Sequence, residues 1–83
     1  MQEIIIDVSE LYKNENSAKL SMLDDYVAEA VSWAGNGNDV ILTGAGPIWL
    51  YLKIAHALHG KARRLLYRSP ATGDVVIFDH SPY

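Results

Sequence analysis

The segment that most constrains this chain is 39–60, DVILTGAGPIWLYLKIAHALHG. It opens as an uninterrupted apolar run, Val40-Ile41-Leu42, breaks at Thr43-Gly44-Ala45-Gly46, and restarts at Pro47 as a helical pattern. Proline suits the first helical position because the N–H it lacks would have no partner there. Gly46 then serves as N-cap, and Gly44 lets the backbone turn tightly. Ile48, Trp49, Leu50, Leu52, Ile54, Ala55 and Leu58 furnish the apolar side of the helix, which Gly60 ends as a C′ residue. Strand, glycine turn and helix start together present backbone N–H groups and a positive dipole end, a place suited to an anion such as phosphate. Every α/β unit needs a turn of this kind, so two glycines alone do not separate a ligand cradle from a plain turn.

At 83 residues the expectation is one domain. A chain of this size buries only about 60–65% of its unfolded surface, which makes self-association a natural source of stability. The absence of cysteine excludes disulfides, zinc–thiolate sites and thiol nucleophiles. The second helix is too short to span a membrane and is interrupted by Lys53 and His56. Gln2 and Glu3 stand where a signal peptide needs cations. A cytoplasmic protein with no membrane partner is expected.

Net charge is −3, unevenly spread. Residues 1–41 set eight carboxylates against two lysines, −6, whereas residues 42–83 set five cations against two carboxylates, +3. An acidic half repels nucleic acid, so duplex DNA is not an expected partner. The basic half, with Lys61, Arg63, Arg64 and Arg68, suits a compact anion or simply solvates a loop and strand edge.

Residues 1–8 contain Ile4-Ile5-Ile6 and read as a buried strand. Residues 9–18 read as a polar loop, with Leu11 and Tyr12 able to tuck against the body. Residues 21–34 read as a helix, with Ser21 and Asp24 as a capping box and Leu23, Val27, Ala30, Val31 and Ala34 as its buried stripe. Gly35-Asn36-Gly37-Asn38 is a C-cap and turn. Residues 63–68 form a short strand, Ser69–Gly73 a hairpin loop, and residues 74–80 the last strand. Plain alternation there puts Val75, Ile77 and Asp79 on one side and Val76, Phe78 and His80 on the other. The order β-α-β-α-β-β implies a small α/β domain of Rossmann-like character. Its first three strands are parallel, helices cover the sheet, and the last strand is antiparallel.

Lys53, His56 and His59 recur at spacing three and project along one side of the second helix. An H-x-x-H pair suits a divalent cation or proton transfer near neutral pH, and equally a solvated helix face. His80 ends an otherwise apolar strand, and strand ends are where sites assemble in α/β domains. Ser81 and Tyr83 add hydroxyls of no particular specificity. Ser21, Ser32, Ser69 and Ser81 lack any nucleophile-elbow motif.

The run GAGPIWLYLKIAHALHG, followed by LLYRSPATGDVVIFDHS, resembles the small CRISPR-associated ring nucleases of the third ring-nuclease family. The residues that carry the likeness are Gly46, Pro47, Ile48, Trp49 and Leu50, then Ala55, His56 and His59, and finally Tyr67, Pro70, Gly73, Val75, Val76, His80 and Ser81. The resemblance implies a distant relative of CARF domains that assembles as a homo-oligomer, a dimer or a stacked tetramer. Its implied activity is cleavage of a 3′–5′ phosphodiester of cyclic tetra-adenylate with a divalent metal, usually manganese, which silences type III antiviral signalling. It assigns His59 and His80 to the metal and catalytic site, with His56 beside them, and leaves room for a site between subunits.

Two departures stand out. The family's Tyr-Asp-Pro-Arg is here Tyr67-Arg68-Ser69-Pro70, so its carboxylate has no counterpart in place. Asp74 substitutes as a metal ligand, or Arg68 replaces the metal's charge on the phosphate, or a metal-independent route uses the ligand's own 2′-OH with His80 or His59 as base or acid. Family members also continue beyond the His-Ser, whereas this sequence stops at Tyr83. The expected function is a ring nuclease in which Thr43, Gly44, Ala45 and Gly46 cradle the ligand, Arg64 or Arg68 meets phosphate, and His59 and His80 perform the chemistry. The alternatives are a non-catalytic cyclic-oligoadenylate sensor and a ligand-free oligomerisation module.

Overall fold

The computed structural model describes residues 2–81. Strand β1 (Glu3–Asp7) is followed by helix α1 (Leu23–Ala34), β2 (Asp39–Thr43), α2 (Ile48–Leu58), β3 (Arg64–Ser69) and β4 (Gly73–Asp79). This is the α/β order expected, in one mixed sheet of sequential strand order β1-β2-β3-β4. The first three strands are parallel, and β4 returns antiparallel to β3. The expectations for Met1 and Tyr83 fall outside the described residues.

Sequential order has a consequence for layering. Two right-handed crossovers that advance in the same direction put both helices on the same face. The core is accordingly one-sided: Ile6, Val40, Leu42 and Leu65 point at Ala30 and Ala34 of α1 and at Leu50, Ile54 and Leu58 of α2. The opposite face is bare, against the expectation that helices cover the sheet and that the first strand is buried throughout. A row Ile5–Ile41–Leu66–Val76 runs across that face in register. Its edge members are open, Ile5 by 54% and Val76 by 57%, whereas the central-strand Ile41 and Leu66 are buried between their neighbours.

Several boundaries move for identifiable reasons. Residues 9–18 are not all loop: a 3-10 helix, Val8–Tyr12, starts at Asp7, whose carboxylate accepts from Ser9 N and caps it. Leu11 does tuck into the core. Helix α1 begins at Leu23 after a 3-10 turn, Leu20–Met22, so Met22 is the N-cap and no side chain caps it; the Ser21–Asp24 capping box does not form. Tyr26, unanticipated in the α1 stripe, is buried because its hydroxyl is satisfied by Lys19 N and Glu15 Oε1, both at 3.1 Å. In α2, Pro47 is the N-cap with extended backbone, ψ 150°, so the helix starts one residue later than Pro47 and Gly46 is not the cap. Gly60 follows the C-cap His59 with φ +91°, the left-handed conformation expected of a C′ glycine.

Strand β4 departs from plain alternation. Leu65 pairs with Phe78 and Leu66 with Val76, which leaves Ile77 as the extra residue of a bulge. Ile77 and Phe78 therefore both turn toward the helices, and only Val76 and the flanking Asp74 and Asp79 face the bare side. Helix α2 does not reach fully over β4. A groove of about 300 Å³ is left there, bordered by the exposed Ile48 and Leu52 of α2 and by Ile77. No helix among the described residues is long and apolar enough to cross a membrane.

Candidate functional site

The sequence-predicted residues form two groups at opposite ends of the sheet. One lies at the carboxyl ends of the parallel strands, around the glycine turn; the other lies at their amino ends, below α2. Eleven helical residues, about 16 Å, separate the two along α2.

At the upper end, Thr43, Gly44, Ala45 and Gly46 wall a cavity of about 610 Å³ together with Tyr51, Tyr67, Arg68 and Pro70. The glycines are dictated by close approach. Gly44 has φ +99°, and a β-carbon there would fall 2.0 Å from Asp7 Oδ1; one on Gly46 would fall 2.7 Å from Val8 Cγ2. Two tyrosines fix the turn from opposite sides. Tyr12 Oη donates to Ala45 O at 2.6 Å, and Tyr51 Oη donates to Gly44 O. Desolvation, then the neighbouring Tyr67, Asp7 and Tyr12, push the Tyr51 hydroxyl up to about 12, so it remains a donor at any physiological pH. With the carbonyls occupied in this way, the backbone N–H groups of Ala45 and Gly46 enter none of the backbone bonds outside helices and strands among the described residues. Thr43 Oγ1 donates to Arg68 O at 3.3 Å and joins the turn to β3.

Arg68 is the cation of this cavity, but its charge is shared. Its Nε and Nη2 donate to Asp74 Oδ1 and Oδ2 at 2.8 and 3.1 Å. That two-pronged bond holds Asp74 below the usual carboxylate range and raises Arg68. Arg68 thus sits where the sequence placed it and Asp74 does not. Asp74 is a partner of Arg68 at the start of β4, and six residues of chain, about 20 Å of strand, separate it from His80. Arg64 is also not at the turn. It begins β3 at the lower end, opposite Asp79, with Nε 3.8 Å from Asp39 Oδ2. Arg63 takes Asp39 instead, through Nε and Nη2 at 2.9 and 2.8 Å.

At the lower end, His59 and His80 are brought together. His59 is the residue that closes α2, its N–H shared between Ala55 O and His56 O. His80 extends β4 by one residue, its N–H donating to Arg63 O at 2.8 Å. Their rings meet edge to face, centroids 4.8 Å apart and planes at 73°. Phe78, turned inward by the bulge, supports both rings at 5.2 and 4.8 Å. Both histidines are exposed. His80 does lie at a sheet end, but at the amino ends of the parallel strands and not at the carboxyl ends where the glycine turn is. His56, exposed in the last turn of α2, makes no ring contact with either among the described residues. No group of three or more His, Asp or Glu side chains suited to a metal ion occurs among the described residues. Of the residues expected to hold a metal, only the two imidazoles come together, and Asp74 does not join them.

The pattern could not reveal Tyr51 and Tyr67 as walls of the upper cavity, nor Asp7 and Tyr12 as supports of its glycine turn. A partial signal was present: β1 and β2 are equally long, so parallel pairing sets Asp7 beside Thr43 and its turn. Tyr51 lies one turn into the helix that leaves that turn, close enough to reach back to it.

No curated protein and no solved structure matches the chain. The sequence profile of a family described as CRISPR-associated protein (Cas_csx3) matches residues 29–83. That segment contains the glycine turn, Arg68, Asp74 and all three histidines, so both ends of the sheet lie within it. This protein belongs to the CRISPR-associated Cas_csx3 family.

Proposed function

We propose that this protein is a ring nuclease that binds cyclic tetra-adenylate and opens it, with each site built from two subunits. The observation that supports the reading is the His59–His80 pair, assembled from the end of α2 and the end of β4, 21 residues apart. Phosphodiester opening by a neighbouring 2′-OH requires one group to accept a proton and a second to give one, and two exposed imidazoles in contact meet that requirement. One imidazole removes the 2′-OH proton as that oxygen attacks the adjacent phosphorus. The other protonates the departing 5′-oxygen, leaving a 2′,3′-cyclic phosphate and a free 5′-hydroxyl.

The glycine cradle with Arg68 and the histidine pair occupy opposite ends of one subunit. One ligand meets both only where the upper end of one copy faces the lower end of another, which supports an oligomer. The bare sheet face and the groove beside α2 offer apolar surface for such an assembly. Manganese would find two imidazoles here and would take its other ligands from water or a second subunit.

Mixing inactive variants tests the two-subunit site. Arg68→Ala and His80→Ala are each expected to lose cleavage of cyclic tetra-adenylate, and a mixture of the two is expected to regain part of it. A mixture as inactive as its components would contradict a shared site. A sensor that binds without cutting is the second reading, favoured by the engagement of Asp74 with Arg68 and not with the histidines.

A further inference from the structure

The glycine turn has a second cavity on its other side, of about 360 Å³, and the two cavities share Ala45 and Gly46. The second is flanked by two aromatic residues, Tyr12 and Trp49, and by the polar Asn16 and Ser17. It has no cation in its lining. Lys13 and Lys19, which bound the segment, lie outside that lining and are paired with Glu10 and Glu15 at 3.6 and 3.3 Å. An anion is therefore poorly served there, whereas a flat neutral ring is well served.

We propose that this cavity takes a purine base of the ligand, with Asn16 reading its hydrogen-bonding edge; the inference rests on the cyclic-oligoadenylate reading above. The segment that carries Asn16 is anchored at three points. Tyr12 donates to Ala45 O at 2.6 Å, Glu15 N donates to Tyr12 O at 2.9 Å, and the Tyr26 hydroxyl joins Glu15 and Lys19. The wall is thus formed before a ligand arrives. The amide of Asn16 and the hydroxyl of Ser17 have no hydrogen-bond partner among the described residues. A carboxamide offers one donor and one acceptor side by side, the complement of adenine N7 and N6. A nucleotide straddling Ala45–Gly46 sets its base between Tyr12 and Trp49 and its phosphate on the Arg68 side. The polar segment 13–19 becomes a specificity element of the site.

The test uses Trp33→Phe, which leaves Trp49 as the one tryptophan of the chain. Trp33 is on α1 and lines none of the cavities described. On a His80→Ala background, which keeps the ring uncut, the variant is titrated with cyclic tetra-adenylate, followed by Trp49 fluorescence and by calorimetry, then again with Asn16→Ala added and with a cyclic tetra-uridylate as competitor. Asn16 is exposed and unbonded, so its replacement leaves the fold intact. The expected result is quenching that saturates at the calorimetric Kd, a Kd about tenfold higher with Asn16→Ala, and a weaker preference for adenine over uracil. Calorimetric binding with unmoved Trp49 emission and an unaffected Asn16→Ala overturns the base site while the ring-nuclease reading stands. The absence of both heat and any change in Trp49 emission with either ring overturns both.

Discussion

The carboxylate of Asp7 occupies the space that a side chain on Gly44 would need: a β-carbon at Gly44 would lie 2.0 Å from Oδ1 and 2.7 Å from Cγ. The same carboxylate accepts from the N–H and hydroxyl of Ser9 at 2.9 and 2.6 Å, so the turn after β2 and the cap of the Val8–Tyr12 helix are one packed unit. Gly44→Ala combines a φ of +99° with this overlap. It is expected to destabilise the domain by about 2–4 kcal/mol, against about 1 kcal/mol for Gly37→Ala, whose φ is also positive but which has open space around it. Denaturant midpoints of the two variants check this. Equal losses would mean that Asp7 swings aside freely.

The upper cavity depends on a neutral Tyr51. Its value is raised to about 12, chiefly by desolvation, and the usual tyrosine value is 10.0. A raised folded value means that the stability tied to the neutral hydroxyl is present in full below about pH 10 and is lost as pH climbs through 12. Tyr51→Phe is expected to cost about 1 kcal/mol at pH 7 through the lost bond to Gly44 O. The variant should also lose less stability than the parent between about pH 10 and 12. Thermal melts across that range decide it, and parallel pH curves would show that the hydroxyl is not specially held.

Asp39 gives the opposite sign. The two-pronged bond from Arg63 holds it below its ordinary 3.8, outweighing the raising effect of burial. The corresponding stability is present above about pH 4 and disappears as pH falls through the lower folded value. Asp39→Asn is expected to lower Tm at neutral pH and to flatten the acid limb of the Tm–pH curve. An acid limb as steep as the parent's would assign it to other carboxylates, Asp79 first among them, since Ser81 depresses it too.

How much of this was legible in sequence depended on whether the signal was local. The class, the strand order along the chain, the glycine at the end of α2 and the antiparallel return after Pro70 follow from apolar runs and turn residues. The bulge at Ile77 did not, because DVVIFDH is a smooth apolar run and only the register against Leu65 and Leu66 reveals the extra residue. That one residue decides that Phe78 joins His59 and His80 in a three-ring cluster. The one-sided layering was equally hidden, since Ile4-Ile5-Ile6 reads the same whether one face or both are covered. Of the predicted site, Thr43 to Gly46 with Arg68, and His59 with His80, are each gathered as expected. Their separation to opposite ends follows from α2 running between them, which the chemistry of the residues alone does not express. Asp74 pairs with Arg68 and Arg64 stands at the lower end beside Asp39, because charge alone does not say which neighbour claims it.

The core offers a further check on the one-sided fold. Ile54 is fully buried on the core side of α2, whereas Ile5 on the bare face is 54% exposed. Ile54→Ala is expected to cost about 2–5 kcal/mol, and Ile5→Ala much less in the isolated subunit. If Ile5→Ala instead lowers stability in a manner that depends on protein concentration, the bare face is covered in an oligomer.

The most direct measurement incubates pure protein with cyclic tetra-adenylate, with manganese and separately with EDTA, beside His80→Ala under the same conditions. The account predicts linear products that accumulate with time, end in 2′,3′-cyclic phosphates, form with or without EDTA, and vanish with His80→Ala. Intact ring throughout, or cleavage unchanged by loss of His80, would contradict it.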